Sequence, residues 1–183
     1  MLLRGYAATA NGMTIMADQL SKAIAEIGDD DRLRDVVAAV QRLTGMRFAA
    51  IAYVSEDRWI ASLVEGGIEL GLLAGSELAV RQTLCDEVRR YNCEIIIDDC
   101  DNDPDWAKHP VPDLYGFKSY VSIPIFVGGM FFGTLCALDS TPRERPLAEV
   151  RNALLALAAE AGQLLMERMR RERQFPLRFP PIQ

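Results

Sequence analysis

The chain is poor in the features that specialised partners require. Its 183 residues hold 20 Lys and Arg against 26 Asp and Glu, a formal net charge of -6. The basic surplus that neutralises nucleic-acid phosphates is missing, so nucleic acid is not an expected partner. No apolar run approaches the ~20 residues that span a bilayer. The opening MLLRGYAATANGM carries one Arg and no apolar block long enough for a secretory signal. No membrane partner is expected, and the expected location is cytoplasmic. There is one histidine, His109, and with Cys85, Cys93 and Cys100 it makes the spacing C-x7-C-x6-C-x8-H. That series lacks the close cysteine pair of a structural zinc knuckle, so no metal is expected. In a reducing compartment the four cysteines imply no disulfide framework. The acids Asp98, Asp99, Asp101, Asp103 and Asp105 lack the glycine and closing glutamate of a calcium loop, and read as a solvated loop with capping aspartates. Internal repeats and low-complexity segments are absent.

What is present describes an ordinary globule: 50% hydrophobic and 25% charged residues in a chain of one-domain size. Ile15 to Ile27 has a helical apolar period, and GDDD then supplies a break and N-cap chemistry for a helix from Arg32 to Leu43. Arg47 to Val54 and Arg58 to Glu65 read as a hairpin around Ser-Glu-Asp. A looser segment, Gly66 to Gly75, leads to a short helix carrying Leu84, Cys85 and Val88. EIIID, Glu94 to Asp98, is a third strand, and the proline-bearing stretch after it predicts short helical turns. KSYVSIPIFVGGMFFGTLCALD, Lys118 to Asp139, predicts two strands joined at Gly128-Gly129. Along the first, Ser119, Val121, Ile123 and Ile125 share one face, and Tyr120 and Ser122 the other. Pro146 to Arg173 closes the fold as a long helix, and QFPLRFPPIQ reads as a loose tail.

The block IIIDDCDNDPDW...HP...GFKSYVSIPIFVGGMFFGTLCALDSTPR resembles the second half of a GAF domain, with its acidic loop, its S-Y-x-S-I-P-I strand, its glycine turn and its G-T-L-C-A-L-D-S strand. The resemblance covers about Asp31 to Met169. It implies an α+β fold: a central antiparallel sheet of five to six strands, N- and C-terminal helices on one face, and a ligand pocket on the other closed by loops and short helices. The implied organisation is an N-terminal extension and helix over 1–30, the domain over 31–170 and a flexible tail over 171–183. The pocket is expected to be lined by Tyr120, Ser122, Ala137 and Asp139 from the strands, with Cys85, Trp106 and Tyr115 from the covering segments. Hydroxyls, one carboxylate and two aromatics suit a neutral or cationic aromatic ligand better than a phosphate.

The resemblance implies a sensory domain that binds a small ligand and relays its presence through terminal helices, with no catalytic residue and no identified cofactor. Other members bind bilins or act on free methionine-R-sulfoxide. A bilin- or tetrapyrrole-binding photoreceptor domain is one alternative, but Pro110 to Gly116 has no cysteine for covalent attachment, and Ala137 stands where those members have histidine. The reductase is another: Cys85 and Cys93 sit near two of its cysteines and Asp139 matches one substrate acid, but Tyr120 and Ala137 stand where it has two others. A ligand-free dimerisation module is the third. The plainest reading of the thiols makes Cys85 a small hydrophobe, Cys93 and Cys100 semi-exposed loop residues and Cys136 a core strand residue; a redox role for Cys85, Cys93 and Cys100 stays open, since Arg89 and Arg90 lie close in sequence. On the last helix, Leu147, Val150, Leu154, Leu157, Ala161 and Leu164 form a heptad seam beside a second apolar face of Leu155, Ala158, Gly162, Leu165, Met166 and Met169. With Leu20, Ile24 and Ile27 of the first helix, this predicts a helical-bundle homodimer, with a separate or linked output domain as a further partner.

Overall fold

The computed structural model describes residues 18–66 and 70–173. Ile15 and Met16, the start of the expected first helix, lie outside the described residues, as does the proline-rich tail. Asp18 accepts from Ser21 N at 3.0 Å and caps α1 (Gln19–Gly28). Asp30 caps α2 (Asp31–Thr44) through Arg32 N, and Gly45, at φ 67°, ends it. The expected hairpin is β1 (Phe48–Val54) with β2 (Trp59–Gly66).

A two-residue strand, β3 (Glu77–Leu78), follows just beyond the looser segment Gly66 to Gly75, where no strand was expected; only its pairing with Trp59 and Ile60 makes it a strand. Then come α3 (Leu84–Tyr91), β4 (Ile95–Ile97), α4 (Pro110–Tyr115), β5 (Ser119–Val127) and β6 (Met130–Asp139). Gly128 and Gly129 both take positive φ in the β5–β6 turn, where side chains are strained. The expected closing helix divides into a 3-10 turn, Leu147–Val150, and α5 (Arg151–Arg173). Asp98 accepts from Leu147 N at 2.8 Å and caps that turn from across the fold.

The six strands form one antiparallel sheet in the order β3-β2-β1-β6-β5-β4. α1, α2 and α5 cover one face, and the main core lies beneath them: Ile27, Leu33, Val37, Ile51, Val121, Ile123, Leu135 and Leu154 are among its buried members. Two glycines let helices approach the sheet at backbone contact. A Cβ at Gly28 would lie 2.1 Å from the Ser62 carbonyl oxygen, and one at Gly162 2.2 Å from that of Phe126. Gly162, on the second apolar face of the helix, is therefore committed to the domain's own β5. So is the heptad seam: Leu147, Leu154, Ala161 and Leu164 are buried against the sheet and its helices. The second face of the sheet carries α3, α4 and the loops, over an apolar cluster that includes Phe48, Leu84, Val88, Phe117, Tyr120 and Leu138.

Candidate functional site

The cavity lies between this second face and its cover. β6 offers Cys136 and Leu138, β5 offers Tyr120, β1 Phe48, β2 Trp59 and β3 Leu78; Leu70, Leu72, Thr83, Leu84, Cys85, Val111, Tyr115 and Phe117 complete the lining. Its volume is about 40 Å³ and its wall is almost wholly apolar. A water needs at least ~10–15 Å³ on the same measure, so the space is that of a few waters.

Of the seven expected site residues, Tyr120, Cys85 and Tyr115 line this cavity. Ser122 shares the face but is fully buried beneath α3, with Oγ 3.9 Å from Cys85 Sγ. Trp106 packs against the same apolar cluster one step outward, edge-on to His109 at 5.3 Å, and does not reach the cavity.

Ala137 and Asp139 require correction. The register pairs Val121 with Ala137 and Ser119 with Asp139, and residues paired across an antiparallel ladder share a face. Val121 and Ala137 both belong to the helix-covered core, so β6 turns Cys136 and Leu138, not Ala137 and Asp139, toward the cavity.

Asp139 is held by other groups. It accepts from Arg47 N and Nε at 3.0 Å each, from Arg47 Nη2 at 2.8 Å, and from Thr141 N and Oγ1. Burial would raise its carboxyl, but these bonds outweigh burial and keep it well below the usual carboxylate range. The carboxylate expected for a cationic ligand is therefore spent on the frame. Two nearby cations are also committed: Arg89 pairs with Asp86 and Lys118 with Asp101. Cys100, expected to be semi-exposed, is buried at 2% exposure, and burial raises its thiol to about 11. Cys93 is exposed. Among the described residues, no three His, Cys, Asp or Glu side chains converge on a point that could hold a metal.

Cys85 is hydrogen-bonded within the wall. Thr134 Oγ1 donates to its Sγ at 3.2 Å, and the Tyr120 hydroxyl lies 3.3 Å away. The Cys136 thiol adjoins the same sulfur, outside strict hydrogen-bond geometry, and contributes most to lowering the Cys85 thiol below its usual range; Thr134 and Tyr120 add to it, and burial opposes. Contact with Cys85, then burial, pushes the Cys136 thiol the other way, upward. Burial, and next the charge on Cys85, likewise raise Tyr120, whose hydroxyl stays a donor.

Among the lining residues that sequence reasoning missed are Phe48, Trp59, Leu70, Leu72, Phe117, Cys136 and Leu138. The available signal was strand parity for Phe48, Trp59, Cys136 and Leu138, and the apolar run LGLL, residues 70–73, inside a segment read as loop.

A GAF domain profile matches residues 30–165. The chain belongs to the GAF domain family. Families of this kind are generally sensory or regulatory. Comparison with curated protein sequences gives no match. Among solved structures, the GAF domain from an Acinetobacter phosphoenolpyruvate-protein phosphotransferase superposes with a TM-score of 0.62 at 16% identity, covering 88% of this chain and 99% of that one. Free methionine-R-sulfoxide reductase from Neisseria meningitidis, solved with its substrate, gives 0.54 at 15% identity, covering 85% and 89%. The far-red absorbing dark state of JSC1_58120g3 with bound biliverdin IXa gives 0.58 at 19% identity, covering 83% and 99%. At such identities the shared property is the GAF fold. No helix among the described residues of this GAF domain is long and apolar enough to cross a membrane.

Proposed function

We propose that this GAF domain is a sensory module that receives a small, neutral, mainly apolar ligand in the cavity over β1, β6 and β5. The observation that carries the reading is the lining: apolar side chains, two thiols, two tyrosines and one threonine, with no carboxylate, lysine or arginine. A zwitterion or phosphate would lose its hydration there without a counter-charge, which is costly. This weighs against the reductase alternative, as does Asp139, the acid that resemblance assigned to substrate, which Arg47 holds on the opposite face.

Size provides the mechanism. Ligand pockets commonly span ~300–1,000 Å³, so a ligand larger than a few waters must displace the cover at Leu70, Leu72 and α4. A ligand shifts a conformational equilibrium only by its preference for one state, and a tenfold preference corresponds to about 1.4 kcal/mol. The displaced cover is the state so favoured. We further propose that the relay passes to a second copy of the chain through the α2–α5 surface, where Leu43, Ala153 and Ala156 are exposed and flank a shallow groove with Leu157.

The test is a thermal-shift titration of the full chain with indole, cyclic GMP, biliverdin and methionine sulfoxide as separate probes. Indole is expected to raise the melting temperature; at 100 times its Kd the stabilisation is about 2.7 kcal/mol. No response to indole at any soluble concentration would remove the receptor reading and favour a filled cavity serving only as core. A response to cyclic GMP or methionine sulfoxide alone would show that the lining argument is wrong.

A further inference from the structure

Cys85 and Cys136 are the part of the cavity wall that packing does not explain. Both line the same space of about 40 Å³, Cys85 from the first turn of α3 and Cys136 from β6. A thiol that only fills volume needs no hydrogen bonds. Cys85 Sγ instead has Thr134 Oγ1 at 3.2 Å, the Tyr120 hydroxyl at 3.3 Å and Ser122 Oγ at 3.9 Å. Trp59, 3% exposed in the same wall, has a buried Nε1 without a hydrogen-bond partner, a donor that also acts to lower the Cys85 thiol. A sulfur surrounded by donors, near a helix N-terminus, is arranged for negative charge.

We propose that Cys85 and Cys136 are a peroxide-reactive dithiol whose oxidation bridges α3 to β6 across the cavity. The inference goes beyond the receptor reading and needs no ligand to enter. The Cys85 thiolate attacks one oxygen of hydrogen peroxide; the O–O bond breaks, and the departing hydroxide takes a proton to become water. Cys85 is left as a sulfenic acid. The Cys136 sulfur then attacks the Cys85 sulfur: the S–S bond forms, the S–O bond breaks, and the leaving hydroxide combines with the Cys136 proton as a second water. Two thiols lose two electrons and two protons, and the peroxide is reduced to two waters. The cavity selects the oxidant, because hydrogen peroxide is close to water in size and fits a space that excludes bulky peroxides. The bridge would fix the cover to the sheet and so close the cavity to any larger guest.

The experiment uses the full chain carrying Cys93→Ala and Cys100→Ala, so that Cys85 and Cys136 are the remaining thiols. After reduction, the protein is treated with hydrogen peroxide, quenched with catalase, unfolded and exposed to N-ethylmaleimide. The expected product is lighter by two hydrogens, takes up no label, yields a cross-linked peptide joining Cys85 to Cys136, and recovers both labels after dithiothreitol. In the same background Cys85→Ser should leave Cys136 fully labelled after peroxide. Two labelled thiols at a peroxide dose that oxidises the exposed Cys93 of the unsubstituted protein would overturn the proposal. So would Cys85 sulfinic acid beside a labelled Cys136. Should the double variant fail to fold, peptide mapping of the unsubstituted protein decides between the Cys85–Cys136 cross-link and any other. Because the readout is covalent, its failure leaves the indole titration untouched.

Discussion

Arg47 and Asp139 meet in a two-pronged ion pair, Nε to Oδ2 at 3.0 Å and Nη2 to Oδ1 at 2.8 Å, while the Arg47 backbone N–H also donates to Oδ2. The pair joins the start of β1 to the end of β6, and Thr141 completes the set of donors. Asp139→Asn should cost about 2 kcal/mol at pH 7, the scale of hydrogen bonds to a buried charge, moderated because Arg47 is largely in water. The sign with pH follows from a carboxyl depressed in the folded state. Its contribution is complete above the unfolded pKa of about 3.9 and is lost as pH falls through the lower folded value. Denaturant melts of the two proteins should therefore differ at pH 7, and the gap should begin to narrow only as pH falls below about 4 and keep narrowing toward the acid limit; a difference constant from pH 7 to that limit would show that the carboxylate charge is not what matters.

Gly162→Ala is expected to destabilise the domain even though alanine favours an exposed helix by about 1 kcal/mol over glycine. The new methyl would meet the Phe126 carbonyl oxygen at 2.2 Å, a backbone atom that cannot swing aside, so α5 must lift from β5. Overpacking of this kind costs about 1–3 kcal/mol or more. Urea denaturation should show the midpoint falling without a change of slope. A rise in the midpoint would mean that the helix and strand have room to part.

The outer frame was legible because each of its signals is local. The period of α2, the GDDD cap, the double glycine between β5 and β6 and the alternation of Val121, Ile123 and Ile125 all lie within a few residues of what they specify. The failures lie where a residue's role depends on a partner distant in sequence. β3 exists only by pairing with β2, and which apolar face of α5 meets the sheet is shown only by Gly162 approaching Phe126, 36 positions away. Ala137 and Asp139 were placed by resemblance although strand parity pointed elsewhere: once Tyr120 faces the cavity, its ladder partner Leu138 must do so too. The pairing of Arg89 with Asp86, by contrast, is an i,i+3 contact within α3 that the sequence itself offered.

The donors around Cys85 give a second pH-dependent expectation. Contact with Cys136, then the Thr134 and Tyr120 hydroxyls, favour the thiolate over burial, so Cys85 should ionise below the ordinary cysteine value of about 8.5. Far-ultraviolet thiolate absorbance of the Cys93→Ala, Cys100→Ala protein, followed against pH, should show one early inflection, since Cys136 is pushed upward. Tyr120→Phe removes one donor and should move that inflection up by about 1 pH unit. Absorbance that stays flat to pH 9 would mean that burial dominates and both thiols remain protonated.

The last expectation concerns assembly. The heptad seam of α5 is largely used by the domain's own core, so dimerisation cannot rest on it. What remains outward is a strip of Ala153, Ala156 and Ala159 with half-buried Leu157, and across a shallow groove Leu43, 40% exposed on α2. Small residues let a second helix approach closely, and burying this strip against its copy removes the exposed leucine from water. Light scattering at micromolar concentration should give a particle near twice 20.4 kDa. Leu43→Glu should halve it and leave the circular dichroism unchanged, because that side chain already reaches solvent and supports no part of the buried core. A 20.4 kDa particle for the unsubstituted chain would exclude the relay between copies and confine any signal to the cover of the cavity.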